Sequence, residues 1–229
     1  KTYVVGFGAL VNPVCLNDLA TRGGTDLAVD EADDYFVTVT TPQGCQSTSS
    51  LSVAQELVVN GDFTAGNTGF YTDYTYVPPP GTPTSLYPEG YYAIDVNAHD
   101  YHNLFWGKEH STNAQTGNFM IINGYPGSST AVIWEQTVTV KPNTDYYFSA
   151  YAMNLNPVAP AILQFEVNGV LVGSIADLST APKPTTETEV NLNNWIRFYS
   201  TPTWNSGGAT TAVIRIRNLN TIAGGNDFA

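Results

Sequence analysis

The chain has 229 residues, 42% of them hydrophobic and only 12% charged, enough apolar material for one large or two modest β domains. Eight Lys and Arg stand against 20 Asp and Glu, a net charge of −12, which excludes a basic nucleic-acid surface and makes an anionic membrane repulsive. No stretch approaches the run of about 20 apolar residues that a membrane helix needs, no basic-then-apolar leader opens the chain, and both ends read as continuing into a longer polypeptide.

Cys15 and Cys45 come first in chain order. In a chain poor in Lys and rich in Thr, Asn, Tyr and Gly, the expectation is an extracellular disulfide; the alternative is two unpaired buried thiols. Alternation with period two, bounded by Gly, Pro, Asn and Asp, then predicts strands over 35–40, 49–53, 131–140, 145–153, 161–167, 170–175, 195–200 and 211–217. Asn168-Gly169, between Phe165-Glu166-Val167 and Val170-Leu171-Val172, is a tight-hairpin signal, and Asn123-Gly124, Pro142-Asn143 and Gly207-Gly208 read as turns. No segment sustains a helical apolar period. The Pro-rich stretch from Val77 to Pro83 opens a long loop over 77–90, and 176–191 is a second irregular excursion. A boundary near residues 52–58 divides the chain into 1–53 and 54–229.

Two resemblances follow from particular residues. Asp34-Tyr35-Phe36-Val37-Thr38-Val39-Thr40, then Gln43-Gly44-Cys45 and Ser49-Ser50-Leu51-Ser52-Val53, resemble the closing half of immunoglobulin-like and PKD-like repeats. Asn60-Gly61-Asp62-Phe63 with Gly69-Phe70, Glu109-His110-Ser111-Thr112 with Gly117-Asn118-Phe119-Met120, and Asn226-Asp227-Phe228-Ala229 resemble the galactose-binding-like jelly rolls. That group includes carbohydrate-binding modules and MAM domains, and the combination is similar to long secreted surface adhesins of the Bacteroidetes type. The implied fold class is all-β: a jelly-roll β-sandwich over 54–229 preceded by a small, partial immunoglobulin-like domain over 1–53.

The jelly-roll resemblance implies a calcium site formed by Asp62, Glu109 and Asp227, since calcium takes oxygen ligands and three carboxylates without a cation would raise each other's pKa. The alternative for these residues is a turn cap, a solvated side chain and a frayed end. Strand alternation supplies a second candidate, a glycan-binding face. With Phe148, Leu163, Phe165, Ile196 and Phe198 inward, the outward set includes Tyr147, Tyr151, Gln164, Trp195, Arg197 and Tyr199. Arg215 and Arg217 also point outward, where pairing with Glu166 is the plainer expectation. Tyr71, Tyr74, Tyr76, Tyr87, Tyr91 and Tyr92 flank the Pro-rich loop, either as a binding loop or as its own packing.

Catalysis is not expected. Gly-X-Ser-X-Gly, His-Glu-X-X-His and phosphate-binding glycine loops are absent; His99, His102 and His110 cluster with Asp95, Asp100 and Glu109, but the His-X-X-His spacing of His99 and His102 alone is a weak zinc signal. The sequence therefore predicts a non-catalytic, calcium-stabilised module of an extracellular or cell-surface adhesin. Its partners would be glycans or neighbouring domains of the same protein, with self-assembly as a further route. The alternatives are a structural spacer in a surface filament and an accessory domain of a secreted hydrolase.

Overall fold

A computed structural model describes residues 34–40, 46–52, 56–110, 116–127, 130–200, 202–222 and 224–229, the first two stretches as backbone only. Cys15 and Cys45 lie outside the described residues. The chain divides into two units, Lys1–Leu57 and Val58–Ala229. In the first, β1 (Asp34–Thr40) pairs antiparallel with β2 (Gln46–Ser52), Val37 opposite Ser49, as the alternating pattern predicts.

The second unit contains β3 (Thr75–Tyr76), β4 (Tyr91–Asp95), β5 (Phe119–Ile122), β6 (Val132–Thr139), β7 (Asp145–Tyr146), β8 (Ser149–Met153) and β9 (Ile162–Val167). It continues with β10 (Val170–Asp177), β11 (Trp195–Tyr199), β12 (Trp204–Asn205) and β13 (Thr211–Asn218). Helical structure among the described residues is confined to short 3-10 turns. No helix there is long and apolar enough to cross a membrane.

The strands form two layers. In the first, β3, β4 and β5 are hydrogen-bonded in that order and β8 pairs with β11. Residues 227–229 join these pieces: Phe228 exchanges both backbone bonds with Ile122 on one side, and Ala229 exchanges both with Met153 on the other. The second layer runs β10-β9-β13-β6, with Tyr71 bridging the far side of β6 at Glu135. Between the layers, Phe198 stacks on Phe165 at 4.7 Å and Phe148 packs beside it at 6.2 Å, the inward positions that alternation assigns. Asn168 and Gly169 both have positive φ, as the two-residue turn between β9 and β10 requires.

A second core lies on the outer face of the first layer. Leu86, Ala98, Tyr101 and Phe105, from the excursion between β3 and β5, pack on Ala93, Phe119, Ile121, Met153 and Leu155. This cover explains β4 and β5. They are buried on both faces, so Phe119-Met120-Ile121-Ile122 is a continuous apolar run without the alternation that marks a half-exposed strand. Of the tyrosines flanking the loop, Tyr91 packs against this second core, while Tyr74 is buried against Tyr125 and Tyr92 against Phe70 and Tyr76; Tyr76 is half-buried, and Tyr71 and Tyr87 are exposed.

Two details depart from the sequence reading. Segment 145–153 is broken at Tyr147–Phe148 into β7 and β8, which pair with different partners. Asn123-Gly124 is not a hairpin turn. The Gly124 N–H donates to Asp227, and a side chain at 124 would collide with Asn226.

Candidate functional site

The apolar cover stops short of the β8–β11 edge. Cross-strand pairing sets Trp195 opposite Met153, Arg197 opposite Tyr151 and Tyr199 opposite Ser149, so all six side chains share the outer face. At the Trp195 end the face is sealed: Met153 is fully buried, and Trp195 packs edge-on against Phe119 with its indole Nε1 enclosed. Beyond it the face opens. Tyr147, Tyr151 and Tyr199 remain 48%, 43% and 38% exposed, where most tyrosines of the excursion are covered.

The open patch has a defined geometry. Tyr147 and Tyr199 stack at 5.9 Å with 28° between their planes. The guanidinium carbon of Arg197 lies 5.8 Å from the Tyr147 ring centre and 6.0 Å from that of Tyr199. Arg197 also donates a long hydrogen bond, 3.4 Å, to the Ser149 hydroxyl. His110, at the rim of the excursion, stacks on Tyr151 at 3.5 Å and meets Trp195 edge-on at 5.9 Å. Burial pushes the His110 imidazole below its usual value, against the opposing charge of Glu109, which favours the neutral ring. The backbone beneath is rigid: the Phe148 N–H donates to the buried Ser200 hydroxyl at 2.8 Å, and the Ser200 N–H donates to the Phe148 carbonyl at 2.9 Å. From the opposite layer, Gly173 (φ +73°) sits in the bulge of β10. A Cβ there would come within 2.5 Å of the Tyr199 carbonyl, so only glycine permits the approach.

Four predicted glycan-face residues, Tyr147, Tyr151, Arg197 and Tyr199, thus come together. Trp195 shares the face but serves the second core. Gln164 does not join them. It lies on β9 in the other layer, where its amide donates to the Gly173 carbonyl at 2.9 Å. Alternation along one strand sorts inside from outside but does not say which sheet the strand belongs to.

The three carboxylates of the implied calcium site make separate arrangements. Asp62 is exposed and accepts from the Thr64 N–H and hydroxyl, which lower its pKa. Glu109 is buried with its side chain against Gly117. Asp227 accepts from the Gly124 N–H at 2.9 Å and the Asn156 amide at 2.7 Å, and burial pushes it up to about 6. Among the described residues no group of three or more His, Cys, Asp and Glu side chains is placed to hold a metal ion. The histidines are dispersed in ring stacks, His99 on Trp106 and His102 on Phe105.

The outer face of the second layer is ionic. Arg215 is held between Glu135 and Glu166, and Arg217 pairs with Glu166 at 2.9 Å and donates to the Thr130 carbonyl. Both arginines are therefore committed within the sheet, in the pairing the sequence suggested for Glu166.

No family model and no curated protein matches this sequence. Among solved structures the chain is similar to the EclA C-terminal domain, a sugar-binding protein, at 14% identity and a TM-score of 0.31, over 45% of this chain and 66% of that one. The functional reading accordingly rests on the residues.

Proposed function

We propose that the second unit is a non-catalytic glycan-binding module of a larger secreted or cell-surface adhesive protein, binding through the tyrosine patch of β8 and β11. One observation carries this reading: Tyr147, Tyr151 and Tyr199 stay exposed beside one another at the β8–β11 edge of a face whose remainder is sealed by a dedicated apolar layer. A flat tyrosine ring offers area to the C–H face of a sugar at little entropic cost, and its hydroxyl reaches the sugar's own. His110 adds a neutral donor and acceptor at the edge. The reading does not depend on calcium.

The test is a glycan array, neutral and acidic, probed with the wild-type chain, Tyr151→Ala and Tyr199→Ala. Binding by the wild type, lost in both variants with unchanged melting temperature, supports the proposal. An empty array, or binding indifferent to both substitutions, contradicts it.

A further inference from the structure

The charge at this patch sets it apart from the rest of the surface. The molecule carries eight Lys and Arg in all, and those around the second unit are largely spoken for. Arg215 and Arg217 are locked to Glu135 and Glu166, and Lys108 pairs with Glu187 at 3.3 Å. The Lys183 ammonium is turned onto the carbonyls of Leu104 and Pro184 at 3.3 and 3.1 Å. Lys141, exposed just after β6, likewise has no ion pair among the described residues. Arg197 differs in its setting: among the described residues no carboxylate faces it, and it lies between exposed tyrosine rings. Among the described residues it meets the Tyr147 and Tyr199 rings and makes the long bond to Ser149.

A guanidinium presents five N–H donors in a fixed planar fork, and one long bond to a hydroxyl leaves most of them unused. The flanking rings restrict the side chain without satisfying those donors. In a chain with 20 acidic residues, a guanidinium on an open aromatic face with no carboxylate partner among the described residues is the distinctive feature. The net charge of −12 works against an anionic ligand at long range, but physiological salt confines that field to about 8 Å, whereas a bidentate ion pair forms at contact.

Building on the glycan reading above, we infer that the site selects acidic saccharides: a sugar ring lies on the tyrosines while its carboxylate or sulfate group takes the fork of Arg197. The recognised chemistry is a planar or tetrahedral oxyanion on a pyranose, which a uronic acid or a sulfate ester could supply.

Isothermal titration of the intact chain tests this with matched probes: tri-galacturonate against its methyl ester, and a sulfated galacto-oligosaccharide against its desulfated form. Each pair keeps the sugar and removes the charge. The inference expects the charged member of at least one pair to bind on the order of tenfold tighter or more, and which pair responds distinguishes carboxylate from sulfate. Arg197→Gln should bring that ratio close to one, and Arg197→Lys, which keeps the charge without the fork, should leave an intermediate ratio. The wild-type ratio needs no variant, so a folding defect in either substitution leaves the inference open to refutation. Equal binding of charged and uncharged members overturns the selectivity while sparing the glycan site. A ratio that survives Arg197→Gln overturns the role of Arg197. Failure of every probe, charged and neutral, overturns the site itself.

Discussion

The two outer faces of the sandwich use the same residue types to opposite ends. On the β9–β13–β6 side, Arg215 and Arg217 sit among Glu135 and Glu166 and every charge is answered within the sheet. On the β8–β11 side, Arg197 stands among tyrosines with no carboxylate facing it among the described residues. Arginine composition is thus uninformative by itself. What separates a structural guanidinium from one available to a ligand is whether the neighbouring strands supply its counter-charge, and strand order decides that.

The sharpest way to break the comparison is to remove the shared carboxylate. Glu166→Ala leaves Arg217 without its ion-pair partner in a half-enclosed setting, and we expect a loss of about 3 kcal/mol in urea unfolding. Arg197→Ala should change stability by less than about 0.5 kcal/mol. Equal losses would erase the distinction between the faces. Next comes Gly173→Ala. It lies in the layer opposite the site, yet its Cβ would strike the Tyr199 carbonyl. An expected cost of about 2 kcal/mol should be accompanied by weakened glycan binding.

Acidification sharpens the contrast through sign. Burial pushes Glu166 up, but hydrogen bonds and charge from Arg217 and Arg215 outweigh it and hold the carboxyl below its usual range. Its contribution is present above the unfolded-state value of 4.5 and is lost as pH falls through the lower folded value. Asp227, raised from 3.8 to about 6, behaves oppositely: its contribution is complete below 3.8 and is lost as pH rises through about 6. Between pH 7 and pH 5 the chain should therefore gain stability, on the order of 1–2 kcal/mol, before the ionic face begins to fail. Urea midpoints at pH 7, 6 and 5 check this, and the gain should vanish in Asp227→Asn. The smallest effect belongs to the open patch. Tyr151→Ala should alter stability by less than about 1 kcal/mol, as expected of an exposed side chain whose role lies in binding.

Much of this was legible in the sequence because exposed strands advertise themselves. Tyr147, Tyr151, Arg197 and Tyr199 were sorted outward by period two, and the β9–β10 hairpin by Asn168-Gly169. What escaped was whatever depends on a third layer. β4 and β5 lose their alternation because the excursion covers their outer side, and Trp195, outward by pattern, is sealed by the same cover. Proximity in the chain groups His110 with the other histidines. Its stack on Tyr151 depends on where the excursion ends, which no local pattern encodes. Gln164 lies apart from the patch because β9 belongs to the other layer, which alternation along a strand does not encode.

The most direct test of the central claim is chemical-shift mapping of the isotopically labelled chain during titration with a glycan found on the array. The account predicts perturbations centred on His110, Tyr147, Ser149, Tyr151, Arg197 and Tyr199, with Glu135, Glu166, Arg215 and Arg217 unmoved. Perturbations centred on the ionic face, with the tyrosine patch silent, would contradict it.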